Sequence, residues 1–165
     1  MLFRDTPLNG AYVIDVEPRE DARGFFARTF CAREFAERGL KVSVAQCSIA
    51  YNRTRGTLRG LHFQRRPAAE TKLVRCTRGA IHDIIIDIRT GSDTYLRHKS
   101  VELSSDKRRM LYFPEGFEHG YQTLTDDAEV MYQTDEFYSP GHEGALRYSD
   151  PALNIRWPLD VSVIS

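Results

Sequence analysis

The sequence predicts an all-β barrel or sandwich with one or two short helices. Short runs of β-branched and aromatic residues recur along most of the chain, and clusters of Gly, Pro, Asp and Ser separate them about every ten residues. A helical pattern occurs in one stretch, residues 32–39. The chain of 165 residues has no internal repeat or linker, so we expect a single domain over residues 1–165.

The N-terminal part of the chain is predicted to form two strands followed by that helix. Phe35 and Leu40 lie on the apolar side of the helical pattern, and Gly39 is positioned to end it. A charged loop ending at Gly24 separates the two strands. The strands are expected at residues 11–16 and 24–30.

The rest of the chain is predicted to be a series of strands. Each run is rich in β-branched or aromatic residues and is bounded by turn-forming residues. Many short strands with regular turn signals are typical of β-barrels and sandwiches. The predicted strands are residues 42–51, 56–64, 71–76, 80–88, 100–103, 110–113, 120–124 and 129–138.

The stretch 56–64 carries the first candidate functional residues. Arg59 and His62 are three residues apart on a predicted strand, and a regular strand places them on opposite faces. Gly60 lies between them, and a glycine inside a strand often marks a bulge. Because a bulge would bring the guanidinium and the imidazole to one face, we predict a polar site inside the β framework.

The predicted strand 80–88 places two carboxylates between isoleucines. Asp83 and Asp87 alternate with Ile81 and Ile85 on one face. An ionised carboxylate on a dry face is costly, which favours a wet cavity or a cationic partner for Asp83. The alternative is that both aspartates lie near strand ends in water.

Composition argues against several classes of protein. The 23 basic and 23 acidic side chains balance, which argues against nucleic acid as a partner. Three cysteines without CxxC spacing indicate reduced thiols. The sequence lacks an apolar run suited to a signal peptide or a membrane span, so we expect a cytoplasmic protein with no membrane partner.

The segment from Pro114 to His119 matches the second motif of cupin barrels, Pro-x-Gly-x-x-His. In metal-binding cupins, the first motif supplies two histidines separated by one residue. Here His62 is followed at that spacing by Gln64, whose amide is a poor ligand for a transition metal. Lys72 adds a positive charge that opposes metal binding. We therefore expect no metal ion, with a metal cupin as the alternative.

Four segments of the chain form an ordered set of motifs, at residues 58–64, 72–75, 114–120 and 148–158. Together they resemble the dTDP-4-dehydrorhamnose 3,5-epimerase family, and the similarity extends from Gly10 to Pro158. The resemblance implies a cupin-type jelly-roll barrel, no cofactor, and a homodimer that exchanges N-terminal strands.

The resemblance implies 3,5-epimerisation of a nucleotide-linked 4-keto-6-deoxyhexose, most simply a dTDP-sugar. Removing a proton next to a ketone needs a base, a positive group at the carbonyl oxygen, and an acid on the opposite face. The resemblance assigns these catalytic roles to His62, Lys72 and Tyr132. The residue types suit the roles, since a neutral imidazole accepts a proton near pH 7, an ammonium supplies charge and a phenol donates.

Substrate-binding positions also follow from the resemblance. Arg59 matches a phosphate contact, and Arg23 with Phe26 matches a segment that reaches the nucleotide across the dimer. Tyr138 corresponds to an aromatic residue that stacks on the base. The implied binding residues are Arg23, Phe26, Arg28, Gln46, Ser48, Arg59, His119, Tyr138 and Glu143.

The chain departs from the family pattern at three places. Arg28 replaces a usual glutamate, which is expected to alter nucleotide preference, and Ser48 replaces a common asparagine. The family's base-orienting aspartate falls beyond Ser165, which leaves Asp83 as a candidate to orient His62. The alternatives are a monofunctional 3- or 5-epimerase, an epimerase of CDP- or GDP-sugars, and a non-catalytic cupin that binds nucleotide sugars.

Overall fold

The structure is a computed structural model that describes residues 1–164. Strands dominate this part of the chain, with one short α-helix, α1 (Ala32–Ala36), and one 3-10 turn, Pro151–Leu153. The strands are β1 (Leu2–Asp5), β2 (Tyr12–Asp15), β3 (Arg19–Asp21), β4 (Gly24–Phe26), β5 (Gln46–Asn52), β6 (Thr57–Gln64), β7 (Lys72–Arg78), β8 (Ala80–Asp87), β9 (His98–Ser104), β10 (Met110–Phe113), β11 (Phe117–Thr123), β12 (Ala128–Thr134), β13 (Glu143–Ala145) and β14 (Val163–Ile164).

Two sheets form the body of the protein. The first has the order β1-β2-β10-β7-β12-β5, and the second has the order β13-β6-β11-β8-β9. Neighbouring strands run antiparallel except β14, which pairs in parallel with β6. Strands distant in sequence are adjacent in the sheets, as where β10 pairs with both β2 and β7. The all-β prediction is confirmed.

The main core consists of side chains from both sheets. Val74 and Leu111 of the first sheet belong to the same buried cluster as Ile85 and Leu103 of the second. The other face of β8 is buried as well, because Ile84 packs with residues of the C-terminal segment. This double burial explains why β8 reads as an almost continuous apolar run.

Helix α1 packs on the outer face of the first sheet. Phe35 is buried there, and its ring meets that of Tyr112 edge to face at 5.7 Å. Gly39 adopts a φ of +68°, and Leu40 N–H donates to the Phe35 carbonyl at 3.0 Å, which closes the helix as predicted. Among residues 1–164, no helix is long and apolar enough to cross a membrane.

The segment 17–30 differs from the prediction. The expected strand 24–30 is strand only over β4, and the expected charged loop contains β3, which pairs with β4 in a separate hairpin. Every residue of both strands is exposed, and Phe26 retains 69% of its accessible surface. Two of the three aromatic residues of the segment, Phe25 and Phe26, therefore lie on an exposed hairpin, while Phe30 packs against Phe35.

The C-terminal segment covers the outer face of the second sheet. Leu146 N–H donates to Glu118 Oε1 at 2.6 Å, and Leu159 N–H donates to Gln122 Oε1 at 3.1 Å. Glu118 and Gln122 both belong to β11, so one strand anchors this segment at two points. Strand β14 then lies along the start of β6.

Candidate active site

A polar cavity of about 230 Å³ opens between the two sheets. Strands β5, β6, β7, β11 and β12 all contribute to its wall. The lining contains two imidazoles, two basic side chains and two phenols, which is a dense set of groups able to transfer protons or hold charge. The lining residues are Ala50, Arg59, His62, Lys72, His119, Tyr121 and Tyr132.

An irregularity in β6 places Arg59 and His62 on the same side. His62 pairs with His119 and Arg59 pairs with Tyr121, so two residues of β6, Gly60 and Leu61, lie opposite one residue of β11, Gly120. Gly60 lies at this bulge with a φ of +117°, and a Cβ there would come within 2.6 Å of the backbone of β11. Only glycine fits this close approach. The bulge predicted at Gly60 is confirmed.

His62 is held in the neutral form. Partial burial lowers its pKa first, although the residue as a whole stays solvent-accessible, and the neighbouring Lys72, His119 and Arg59 side chains lower the pKa further. Both effects disfavour the imidazolium. At neutral pH the His62 imidazole is therefore available to accept a proton.

Asp83 contacts His119 and not His62. Its two carboxylate oxygens lie 3.1 and 3.0 Å from His119 Nε2, and the Asp83 side chain is fully buried. The expectation that Asp83 orients His62 is corrected, because the carboxylate has both oxygens on the neighbouring histidine. The carboxylate is buried against this imidazole and does not line the cavity, so the alternative of a solvated aspartate is wrong.

Asp87, on the same face of β8, is also fully buried. It accepts hydrogen bonds from Arg89, Ser92 and Thr94. Burial alone would raise its pKa, but these hydrogen bonds prevail and hold the pKa well below the ordinary range. Asp87 therefore stabilises the loop after β8, away from the cavity.

Arg59 is fixed by a hydrogen-bonded chain that the sequence did not reveal. Its Nε donates to Asn52 Oδ1 at 2.8 Å, and Asn52 Nδ2 donates to the Tyr121 hydroxyl at 3.1 Å. Asn52 and Tyr121 are both buried. Neither belongs to the motifs quoted above, and their role depends on the pairing of β5, β6 and β11.

Tyr132 reaches the cavity from β12. Burial raises its pKa well above the ordinary value, and the neighbouring Tyr121 hydroxyl raises the pKa further. The phenol thus stays protonated at neutral pH, as a proton donor must. Ser48 pairs directly with Tyr132 across β5 and β12.

Lys72 is the first residue of β7 and faces the cavity. Its ammonium forms an ion pair with Glu70, with 2.9 Å between Lys72 Nζ and Glu70 Oε1. The two side chains are 14% and 13% exposed. Sequence reasoning did not single out Glu70.

Three of the predicted binding residues form a second cluster. Gln46 Oε1 accepts the Tyr138 N–H at 2.8 Å, and the Tyr138 hydroxyl donates to Glu143. The Tyr138 side chain is 62% exposed, so its ring is open to a ligand. Tyr138 and Glu143 are five residues apart, so their contact is local, whereas Gln46 is 92 residues away in sequence and is brought to Tyr138 by the fold.

The hairpin residues lie outside the cavity of the single chain. Arg23 is 90% exposed and pairs with Asp21 at 2.6 Å. Phe26 and Arg28 line a different hollow, where Arg28 lies 3.5 Å from Glu34. This arrangement is compatible with the expectation that they reach a nucleotide across a dimer, which stays a prediction.

Gln64, at the position where metal-binding cupins have a second histidine, is committed to backbone contacts. Its amide nitrogen donates to the carbonyls of Ala68 and Phe137, and its oxygen accepts the Ser139 N–H at 2.7 Å. The side chain thus fastens the loop that carries Tyr138. Both N–H groups of the Gln64 amide are thus used by backbone carbonyls.

The fold and the cavity together define a cupin-like barrel equipped for proton transfer. The family model described as dTDP-4-dehydrorhamnose 3,5-epimerase matches residues 5–165. The enzyme of that name from Methanothermobacter thermautotrophicus is 42% identical over 159 residues, covering 96% of this chain and 85% of the relative.

Solved structures agree with the sequence comparison. The Bacillus anthracis epimerase, crystallised with TDP and pyrophosphate, superposes with a TM-score of 0.96 at 36% identity, covering 99% of this chain and 94% of that one. The Legionella pneumophila 3,5-epimerase, in complex with dTDP-4-keto-L-rhamnose, gives a TM-score of 0.93 at 33% identity, with 99% and 87% covered.

The chain belongs to the dTDP-4-dehydrorhamnose 3,5-epimerase family. It is accordingly an isomerase, and the prediction of a cupin-type jelly-roll fold is confirmed.

Proposed function

We propose that this protein inverts carbons 3 and 5 of a dTDP-linked 4-keto-6-deoxyhexose, with His62 as base, Lys72 as the group that stabilises the enolate, and Tyr132 as the acid. The observation that carries the proposal is the presence of these three side chains on the wall of one cavity. They come from β6, β7 and β12, so the fold brings them together from separate parts of the sequence.

The first step is removal of the proton on a carbon next to the ketone. His62 can accept this proton because its imidazole is unprotonated at neutral pH, since partial burial and nearby basic side chains lower its pKa below the ordinary value. The electron pair moves onto the ketone oxygen and forms an enolate. Lys72, which is positively charged, stabilises the oxygen as the negative charge develops.

The second step returns a proton to the opposite face of the same carbon. Tyr132 is a suitable donor because burial raises its pKa and keeps the phenol protonated. Inversion follows because the donor and the base act from opposite faces of the carbon. Before a second cycle, His62 gives its proton to water and Tyr132 regains one from water. Repeating the cycle at the other carbon beside the ketone then inverts both centres, since both share the one enolate-stabilising oxygen.

The nucleotide end of the substrate is proposed to bind outside the catalytic triad. Arg59 provides a guanidinium for a phosphate, and its orientation is fixed by Asn52. The exposed Tyr138 ring offers a stacking surface for the base. The other proposed contacts are Gln46, Ser48, His119 and Glu143 from the same chain, and Arg23, Phe26 and Arg28 from a second copy.

A homodimer with exchanged N-terminal strands completes this proposal. Strand β5 is an edge of the first sheet, and Ile49 and Tyr51 on it are 67% and 44% exposed. An exposed apolar edge strand is typical of an interaction surface.

The dimer can be tested by light scattering, which should give twice the mass of one chain. Ile49→Glu should shift the measured mass toward that of the monomer. Tyr95→Glu, on a separate exposed loop, should leave the mass unchanged. A wild-type protein that is monomeric at micromolar concentration would contradict the proposed dimer.

The cytoplasmic location of the protein stays a prediction.

The experiment that tests the function is incubation with dTDP-4-keto-6-deoxyglucose in deuterated water, followed by NMR. We expect inverted product with deuterium at C3 and C5. Label at one carbon alone would indicate a monofunctional epimerase. Faster turnover of a CDP- or GDP-sugar would show that the preferred nucleotide is not dTDP. Binding of dTDP with no label at long times would identify a non-catalytic protein.

A further inference from the structure

The ion pair between Lys72 and Glu70 is enclosed by protein. The two side chains are 14% and 13% exposed, whereas the surface pair of Lys107 and Glu102 is 51% and 48% exposed. Removing charges from water makes each of them depend more strongly on its partner. Within the described residues 1–164, Glu70 is the carboxylate that lies within 4.0 Å of Lys72.

The cavity otherwise contains more positive than negative charge. Arg59 and Lys72 line it, together with the imidazoles of His62 and His119 and the phenols of Tyr121 and Tyr132. Arg59 is held by the neutral amide of Asn52, and the Asp83 carboxylate is held by His119. Glu70 is thus placed to offset the charge of the very cation that faces the proposed enolate.

The backbone around Glu70 is held in place from another segment. Thr71 N–H donates to Asp135 Oδ1 at 2.5 Å, and Asp135 N–H donates back to the Thr71 carbonyl at 3.3 Å. Asp135 is itself paired with Lys41 at 2.8 Å. Glu70 lies two residues before Lys72, in the loop that leads into β7. The backbone that carries Glu70 is therefore held in place, and its carboxylate is positioned to bind the Lys72 ammonium.

We propose that Glu70 is a positioning residue for the epimerase reaction, whose carboxylate holds the Lys72 ammonium at the cavity wall and moderates the positive field around His62. The proposal rests on the proposed role of Lys72 at the enolate oxygen. A lysine side chain has four rotatable bonds, and the ion pair restricts it to the orientation that faces the substrate. Glu70 thereby fixes the position of the Lys72 ammonium and partly offsets its positive charge at His62.

The first test compares wild-type protein with Glu70→Gln, which keeps the side-chain shape and removes the negative charge. NMR titration of the His62 imidazole, without substrate, should show its pKa falling by about 0.3 to 1 unit because the Lys72 charge is less compensated. Glu102→Gln, which breaks the exposed pair with Lys107, is the matched control and should leave the His62 titration unchanged.

The second measurement is the pH profile of epimerisation. In Glu70→Gln, we expect kcat to fall about 10-fold at neutral pH with little change in KM, because the Lys72 ammonium is less well oriented toward the enolate oxygen. The acidic limb of the profile should move to lower pH with the His62 titration. Glu70→Asp keeps the charge on a shorter side chain, so it should restore the position of the acidic limb more than the rate.

Two results would overturn the proposal. One is a His62 titration that is the same in wild type, Glu70→Gln and Glu102→Gln, and the other is a rate loss with no movement of the acidic limb. If Glu70→Gln does not fold, a Glu70→Asp protein whose kcat equals that of the wild type would refute the positioning role, because the shorter side chain should hold the Lys72 ammonium less well. Failure of the proposed function is seen separately, as absence of isotope exchange in the wild type.

Discussion

His62 and His119 lie directly opposite each other on β6 and β11, yet their surroundings differ. His119 Nε2 is 3.0 Å from Asp83 Oδ2, whereas the His62 imidazole forms no side-chain hydrogen bond among residues 1–164. Burial and nearby cations lower the pKa of His62. One imidazole is therefore held by a carboxylate and the other is free to accept a proton, which is why we assign the base to His62.

Replacing Tyr132 by Phe should separate proton exchange from inversion. The variant loses the hydroxyl that returns the proton on the far face, so His62 can only return a proton to the face it came from. We expect deuterium exchange to persist while inverted product falls about 100-fold. NMR of the recovered sugar in deuterated water measures both quantities.

The matched control for this variant is Tyr95→Phe, since Tyr95 is 47% exposed and lies away from the cavity. It should behave as wild type in both measurements. Equal loss of exchange and inversion in Tyr132→Phe would show that Tyr132 acts before enolate formation, against its role as the returning acid.

Asp83→Asn should lower the free energy of unfolding. The variant removes the charge from a fully buried carboxylate that contacts His119 through both oxygens. A buried hydrogen bond to a charged group typically contributes about 1.5 to 3 kcal/mol, so the free energy of unfolding should fall by that amount. Chemical denaturation measures the change, with the exposed Asp106→Asn as control. A stability equal to wild type would mean that the contact is not maintained in solution.

Much of the framework was predictable from the sequence because it depends on local pattern. The bulge at Gly60 follows from a glycine between two polar residues on an apolar strand, and the helix stop at Gly39 follows from its conformational freedom. The strand β8 was predicted within one residue of its observed ends. These features are set by nearest neighbours along the chain.

The partners of charged side chains were not predictable, because they depend on strand register. Asp83 pairs across the sheet with Tyr121, and His119 pairs with Ile85, which places the carboxylate diagonally beside His119. The amino-acid sequence alone does not reveal that Asp83 and His119 are diagonal neighbours in the sheet. Glu70 was missed for a related reason, since its contact depends on how the loop before β7 is held by Asp135.

Glu118 should make stability depend on pH. Its side chain is fully buried, Oε1 accepts the Leu146 N–H, and Oε2 has no hydrogen-bond partner. Burial raises its pKa from 4.5 to about 7. Between these values the folded state holds a proton that the unfolded state has lost. This contribution to stability is therefore complete below pH 4.5 and is lost as the pH rises through 7.

Glu118→Gln removes this titration. Relative to wild type, the variant should gain up to about 3 kcal/mol in unfolding free energy at pH 8 compared with pH 4.5, because it carries no buried charge at high pH. Urea denaturation at the two pH values measures the difference, with the exposed Glu37→Gln as control. If the pH dependence of Glu118→Gln matched wild type, the Glu118 carboxyl would not be the buried titrating group.

The most direct test of the account is solvent deuterium exchange into dTDP-4-keto-6-deoxyglucose by wild type, His62→Asn and the control His82→Asn, whose side chain packs near Trp157 outside the cavity. We predict label at C3 and C5 with wild type and His82→Asn. For His62→Asn we predict a loss of at least about 100-fold at both carbons, with dTDP binding retained. Exchange by His62→Asn at a rate close to wild type would contradict the assignment of His62 as the base.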